Sequence, residues 1–459
     1  MNKRQLQSNS PRCVLIVSRD VIGGQIAGPG VRYLEMARRL SRIGHRVTLM
    51  APDLQQWPED GFSVAALTGH GFDRALARSE IVISQGFAYS AWTTATTGAV
   101  QVFDLYAPLQ LEMLEAGPAG HRTEAEAAFY RRYVARRLRL LMACGDFFLC
   151  ASERQRDLWL GSLAAAGRLN RANHEQNTGL RGLIDCVPFG TPTAPFPARG
   201  GTGGARSAFT GVGEDDFMLL WGGGIWPWLD PRTAIRATAL AAEQRPDVKL
   251  LFLGSGHPNP GVTTGDRAAT EARHYARELG VLGHSVLFNE DWVPYEKRVD
   301  YLAACDAGLL AHHQGIETRY AFRTRLLDCF WAGRPVITTG GDELSSQIRH
   351  RGAGVVVRPG DVEAMAAAII GLRDDRERRD AAGSASAELG RRYRWDRNFT
   401  PLERFVDQPH TRRSRGEAGG APGGRRAALG YALSVAALGV RHGLWRRALR
   451  KVFPGAQAP

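Results

Sequence analysis

Short apolar runs recur along the chain, each bounded by glycine or polar turn residues and separated by stretches with helical spacing of their apolar positions. The first, CVLIVS at 13–18, reads as a strand and is followed by a glycine-rich loop containing Gly23, Gly24, Gly28 and Gly30. Pro29 opens a helix that runs to about residue 43, Gly44 stops it, and HRVTLM at 45–50 reads as the second strand. Strand, glycine loop, helix and strand in this order make a βαβ unit. Further strands are expected at 63–67, 81–84, 99–103, 147–150 and 186–189, with a long Arg-rich helix over 121–142. Ser152 is placed to cap another helix, and 169–183 reads as a polar surface loop.

The stretch 194–214 is Gly, Pro and Ala with almost no large apolar side chains, a linker by composition. The pattern then restarts: a strand at 217–221, a loop of Gly222, Gly223 and Gly224, and a helix over 231–243 with Asp230 as cap and Pro231 at its first position. Strands follow at 249–253, 285–288, 307–310, 335–338 and 354–357. The expectation is therefore two α/β domains facing across a cleft, 12–200 and 214–390. A closing helix at 391–408 should pack across both, and 409–459 should be a basic linker with an amphipathic helix.

Charge changes this picture only at the end of the chain. The 459 residues carry a formal +13; from Thr411 onward ten Arg or Lys face a single acid, Glu417. That +9 subtracted from +13 leaves +4 for everything before it, so the basic character belongs to a tail and does not imply a nucleic-acid-binding core. In the tail Leu429, Leu433, Val440, Leu444, Trp445, Leu449 and Val452 share an apolar side, while Arg441, Arg446, Arg447, Arg450 and Lys451 crowd its later half. Such a helix suits an anionic membrane surface, or docks on the protein itself. No apolar run is long enough to span a bilayer, and the polar start MNKRQLQSNSPR does not read as a secretion signal. The six cysteines lack Cys-x-x-Cys spacing, which favours reduced thiols. The expected location is cytoplasmic, peripheral at the inner membrane face.

Candidate chemistry concentrates at 309–342. A single helix is expected over 318–331, with Phe322, Leu326, Cys329 and Phe330 as its core stripe. Arg325 and Asp328, three apart, share another face and can pair, and Arg323 near the helix start can reach the cleft. Two guanidinium groups at a helix start suit a diphosphate, and Asp328 suits vicinal hydroxyls such as those of a ribose. Glu317 could contact a sugar hydroxyl or steady Arg323, and all four residues could equally be structural ion pairs. Gly222, Gly223 and Gly224 would let a phosphate approach the backbone, with Trp226 and Trp228 as stacking surfaces or core. His312 and His313 are adjacent and should point opposite ways, so no metal site is expected. In the first domain, Asp104 ends a strand and could orient or deprotonate an acceptor hydroxyl, or simply cap a turn. Arg32 could bind an acceptor or a phosphate. Gly23, Gly24 and Gly28 could cradle an anion or sugar, or only form a tight turn. Their spacing is not that of a dinucleotide fingerprint, although Asp53 stands near where its acid would be.

The two-domain layout resembles the GT-B fold, and LLDCFWAGRPVITTGGD resembles the donor segment of retaining family 4 glycosyltransferases (glycosyl transferases group 1), over roughly residues 12–406. FRTR is similar to a subset from polysaccharide gene clusters, and GGQIAGPG with GHRV is similar to the family's acceptor-side opening. The family's ribose-binding Glu is Asp328 here; its first acid would fall at Tyr320, and Glu317 is the candidate replacement. The usual diphosphate-binding lysine is missing from WGGGIWPWLDP, leaving that task to Arg323 and Arg325. The resemblance implies transfer of a sugar from a nucleotide diphosphate sugar to a hydroxyl acceptor with retention, in polysaccharide or glycolipid synthesis. It implies no cofactor and no metal dependence. Asp104, Glu317, Arg323 and Arg325 would act at the reaction, and Gly222–Gly224, Trp226 and Asp328 would join both arginines in holding the donor. A GT-B nucleotide-sugar epimerase and a non-catalytic nucleotide-sugar-binding protein are the alternatives.

Overall fold

The computed structural model describes residues 10–52, 61–115, 123–197, 206, 212–254, 257, 259, 264–410, 424–444 and 447–448. The first sheet holds β1 (Cys13–Val17), β2 (Arg46–Ala51), β3 (Ser63–Ala66), β4 (Ile81–Ser84), β5 (Val100–Asp104), β6 (Phe147–Cys150) and β7 (Ile184–Cys186). The second holds β8 (Phe217–Trp221), β9 (Val248–Phe252), β10 (Val286–Phe288), β11 (Ala307–Leu310), β12 (Val336–Thr339) and β13 (Gly354–Val357). Every pairing is parallel, in the orders β3-β2-β1-β4-β5-β6-β7 and β10-β9-β8-β11-β12-β13. Helices cover both faces, so the central strands are apolar throughout rather than alternating, as in CVLIV of β1 and AGLL of β11. The order reverses between β1 and β4 and between β8 and β11. The crevices at those switch points lie beyond the strands' carboxyl ends and open onto one shared cleft.

The glycine loop after β1 leads into the helix Gly28–Arg42, whose Val31, Leu34, Ala37 and Leu40 are buried at helical spacing. A side chain at Gly30 would meet the Val21 carbonyl and Ile26 at 2.6 Å, so the loop closes on that helix only with glycine there. Ser152 caps the helix Glu153–Ala165 as expected, and Asp230 caps Pro231–Gln244. Cys150 and Cys186 stand in register on β6 and β7, and all six cysteines are free thiols.

Four local expectations are corrected. The stretch 169–183 holds a short helix, Arg171–Gln176, because Asn170 accepts the Asn173 amide and starts it. Strand β7 lies two residues earlier than expected; the apolar run continues past it as the packing surface where Phe189 meets Trp395. The closing segment is two short helices, Trp395–Asn398 and Thr400–Asp407, with Pro401 in the first turn of the second. The helix expected over 318–331 is also two, Ile316–Tyr320 and Arg325–Trp331. Ala321 is extended (φ −68°, ψ 151°) between them, so Phe322 and Arg323 leave the helix, and its buried residues are Leu326, Leu327, Cys329 and Phe330.

The chain passes between the domains twice, side by side. The Thr191 amide donates to the Tyr393 carbonyl at 2.8 Å, and the Trp395 amide to the Thr191 carbonyl at 3.1 Å. Thr400–Asp407 then rests on the first domain, where Phe405 stacks on Phe147 at 4.3 Å and Arg39 pairs with Glu403 at 2.5 Å.

The tail helix, Gly424–Arg441, packs on the first-domain helices Ala91–Thr96 and Glu124–Cys144. Its buried side is Ala428, Tyr431, Val435 and Leu438, with Tyr431 over the Arg137 guanidinium. Leu429, Leu433 and Val440 face outward instead, and Arg447 pairs with Glu126. Asp53, Trp445, Leu449 and Val452 and the basic Arg446, Arg450 and Lys451 lie outside the described residues, as do most of the expected linkers at 194–214 and 409–424.

Candidate functional site

Between the two sheets lies a cavity of about 580 Å³ lined from both domains. On the second-domain side it begins with Gly222, Gly223 and Gly224 after β8. Gly223 has φ +114°, and a side chain at Gly254 would meet the Gly223 backbone at 2.8 Å. Two backbones therefore touch at this corner, which only glycines permit. Trp226 and Trp228 stack on each other at 5.5 Å, and Trp226, His257 and Trp292 continue as an aromatic wall.

Arg325 begins the helix Arg325–Trp331 and donates to the Gly224 carbonyl at 3.0 Å, tying the helix start to the glycine loop. Burial, and then the neighbouring Arg323 charge, lower its guanidinium to about 10, so it stays cationic at neutral pH. Arg323, in the extended break, donates to Glu317 at 2.7 and 3.1 Å with both side chains almost wholly buried. Glu317 therefore steadies Arg323, one of the two roles the sequence left open. Arg323 and Arg325 each keep a buried Nε–H without an acceptor, and both residues line the cavity. A buried donor without a partner is costly, and an anion placed between these two groups would relieve that cost.

Arg325 and Asp328 do not pair. Asp328 Oδ1 is held instead by Arg298 Nε at 3.3 Å, and Arg298 itself stacks over Tyr295 at 3.4 Å. Arg298 comes from the helix Arg298–Ala304 beyond β10 and lines the cavity. The sequence reading passed it over; its one signal was a basic pair, Lys297 and Arg298, soon after a strand.

On the first-domain side, Ile26, Ala27, Gly28 and Pro29 line the cavity at the start of Gly28–Arg42, a helix with no side-chain cap. Gly23 and Gly24 do not line it; the Gly24 carbonyl accepts the Tyr295 amide across the domains at 3.2 Å. Asp104 and Arg32 answer each other. Arg32 donates to both Asp104 oxygens at 2.6 and 2.9 Å, and neither side chain is exposed at all. The expectations of an available base at Asp104 and an available cation at Arg32 are thereby corrected, because each charge already satisfies the other. His312 turns inward, with Nδ1 3.0 Å from Thr339 Oγ1 and Nε2 3.5 Å from Asp342. Burial lowers its imidazole to about 2, leaving it neutral, while His313 is exposed near Asp230.

Residues 217–375 match the model of the family described as glycosyl transferases group 1. The curated relatives include the D-inositol 3-phosphate glycosyltransferases of Thermobispora bispora and Thermomonospora curvata. Both are 26% identical, over 40% and 43% of this chain, and the matches span 41% and 44% of the relatives' length. Among solved structures, sucrose-phosphate synthase from Thermosynechococcus elongatus superposes with a TM-score of 0.58 at 15% identity, over 86% of this chain and 98% of that one. The Anabaena protein HepE in complex with UDP and glucose gives 0.58 at 13%, over 86% and 99%. The fold is that of the GT-B glycosyltransferases, and the second domain carries the group 1 family match.

Proposed function

We propose that the chain is a glycosyltransferase that moves a sugar from a nucleoside diphosphate sugar to a hydroxyl acceptor, with retention at the anomeric carbon, as in the family 4 enzymes. The observation that carries this reading is the pair of unsatisfied buried guanidinium N–H groups on Arg323 and Arg325 beside the Gly222–Gly224 backbone. They suit a diphosphate, whose charge grows as the glycosyl bond breaks, and stabilising that growth is what catalysis requires. Asp328, fixed through one oxygen by Arg298, keeps the other for the ribose hydroxyls. The aromatic wall at Trp226 offers a face to the base or sugar, and the opening of the helix Gly28–Arg42 offers backbone donors to the acceptor. HepE, similar in fold, holds UDP and glucose, which supports the donor class.

The acceptor belongs to polysaccharide or glycolipid synthesis, with the enzyme working at an anionic membrane surface. Support comes from the outward stripe Leu429, Leu433 and Val440 together with the exposed Arg132, Arg139 and Arg441, which gather around Arg136. Among the described residues no helix is long and apolar enough to cross a membrane.

A panel of nucleoside diphosphate sugars tested by calorimetry and by slow donor hydrolysis decides the matter. Wild-type protein should bind one of them, and R325A should bind it about 10–100-fold more weakly, as expected for losing one or two charge-assisted hydrogen bonds. Equal affinity in the two proteins would sink the donor assignment.

A further inference from the structure

Four arginines line the cavity: Arg19, Arg298, Arg323 and Arg325. Three are held by the protein, Arg298 by Asp328, Arg323 by Glu317 and Arg325 by the Gly224 carbonyl. The Arg19 guanidinium forms no hydrogen bond and no ion pair among the described residues; its ring contact is Phe87, whose centroid lies 5.6 Å away. Arg19 stands two residues beyond β1 and Phe87 three beyond β4. The two therefore flank the switch point of the first sheet, at the carboxyl ends of its strands.

The carboxylates around Arg19 are occupied elsewhere. Asp20, next to it in the chain, accepts from the Val21 amide at 3.0 Å and from Asn259 at 3.3 Å, and its other oxygen lies 3.9 Å from His257. Asp104 is taken by Arg32. Arg137, buried nearby, donates to the Gly86 and Tyr89 carbonyls and to Thr94 Oγ1, and it forms no ion pair among the described residues. The first-domain side of the cleft thus holds two cations that no carboxylate offsets. Arg19 is exposed to the cleft yet enclosed by its walls, which desolvate the guanidinium and lower it.

We propose that Arg19 is a specificity-determining residue of the acceptor site, where it grips an anionic group, a phosphate or a carboxylate, carried by the acceptor; this rests on the glycosyltransferase reading above. An unpaired guanidinium in a low-dielectric cleft draws anions, and its planar fork bonds either group through two N–H donors. The donor's diphosphate has its own place at Arg323 and Arg325. The charges acting on Arg325 are Arg323, Glu317 and Glu112, whereas the groups acting on Arg19 are Tyr133, Tyr33, Arg137 and Asp20, all of the first domain. The cleft therefore has two positive poles, one for the departing diphosphate and one for the acceptor.

The test is calorimetry on the full chain, with the donor site first saturated by the nucleoside diphosphate of whichever donor binds. Inorganic phosphate, glucose 6-phosphate, glucuronate and glucose are then titrated in turn. Wild type should bind at least one of the three anions beside the diphosphate, and should bind glucose about tenfold more weakly or worse. A preference for the phosphates identifies a phosphorylated acceptor, and a preference for glucuronate an acidic sugar. R19A should bind the preferred anion about tenfold or more weakly, as expected for losing charge-assisted hydrogen bonds, and R19K should fall between because it keeps the charge without the fork. R19A should hold the nucleoside diphosphate within about twofold of wild type. It should also melt within about 2 °C of wild type, since Arg19 supports no other side chain. An anion bound equally by R19A, glucose bound as tightly as the anions, or no anion bound beside the diphosphate overturns the proposal. So does a tenfold loss of diphosphate affinity in R19A, which would give Arg19 to the donor, or a fall of more than about 5 °C in its Tm. Failure of wild type to bind any nucleoside diphosphate or its sugar overturns the glycosyltransferase reading itself, a result distinct from each of these.

Discussion

Arg323 and Arg325 are two residues apart and line the same cavity, yet they should respond to mutation in opposite ways. Arg325 is tied to the protein through one carbonyl, so its loss is felt by the donor. Arg323 neutralises the buried Glu317, and removing it strands a charge in the interior, a cost of about 3–5 kcal/mol. R323A should therefore melt well below R325A in a thermal scan, while R325A stays near wild type and loses donor affinity. D104N should resemble R323A, because it leaves Arg32 buried without a counter-charge. The helical period placed Leu326, Cys329 and Phe330 on one buried face from sequence alone. It could not say which charges would meet. Arg298 reaches Asp328 from another helix, and Arg32 reaches Asp104 from another βα unit. Ion-pair choice depends on packing between elements, to which residue spacing within one element is blind.

Strands announced themselves as short β-branched or apolar runs between glycines, and β4, β6, β8, β11 and β13 lie at the residues expected. Helix interruptions did not. Nothing in RYAFRTR breaks a helix by propensity; past the break, Arg323 turns back to Glu317 while Arg325 reaches the Gly224 carbonyl. The tail helix shows the same limit. The sequence pattern predicts one apolar side holding Leu429 and Leu433, whereas packing on Glu124–Cys144 buries Tyr431, Val435 and Leu438 and turns Leu429 and Leu433 to solvent. Two measurements separate its roles. Deleting residues from 424 onward should uncover the first-domain helices and lower stability by about 2 kcal/mol or more, some 4–8 °C in Tm. Replacing Leu429 and Leu433 together with Ser should leave Tm within about 2 °C, since exposed positions contribute little, yet should release the protein from anionic vesicles. Unchanged vesicle binding in that double variant would overturn the membrane reading.

At the scale of the whole molecule, a glycine-and-proline linker between two restarts of the same strand–loop–helix pattern was enough to foresee two facing α/β halves. The return of the chain to its first half was foreseen only as a packing helix. What the sequence could not show is that the second crossing pairs directly with the first, through Thr191, Tyr393 and Trp395. Two strands of covalent chain lashed together at one line have the form of a door hinge, and we expect the halves to swing about it. Opening to admit a donor and shutting over it would then be one motion along one coordinate. A single bulky or flexible residue at Thr191 would loosen the frame, and through Gly190 and Trp395, which line the cleft, the change would be felt at its wall.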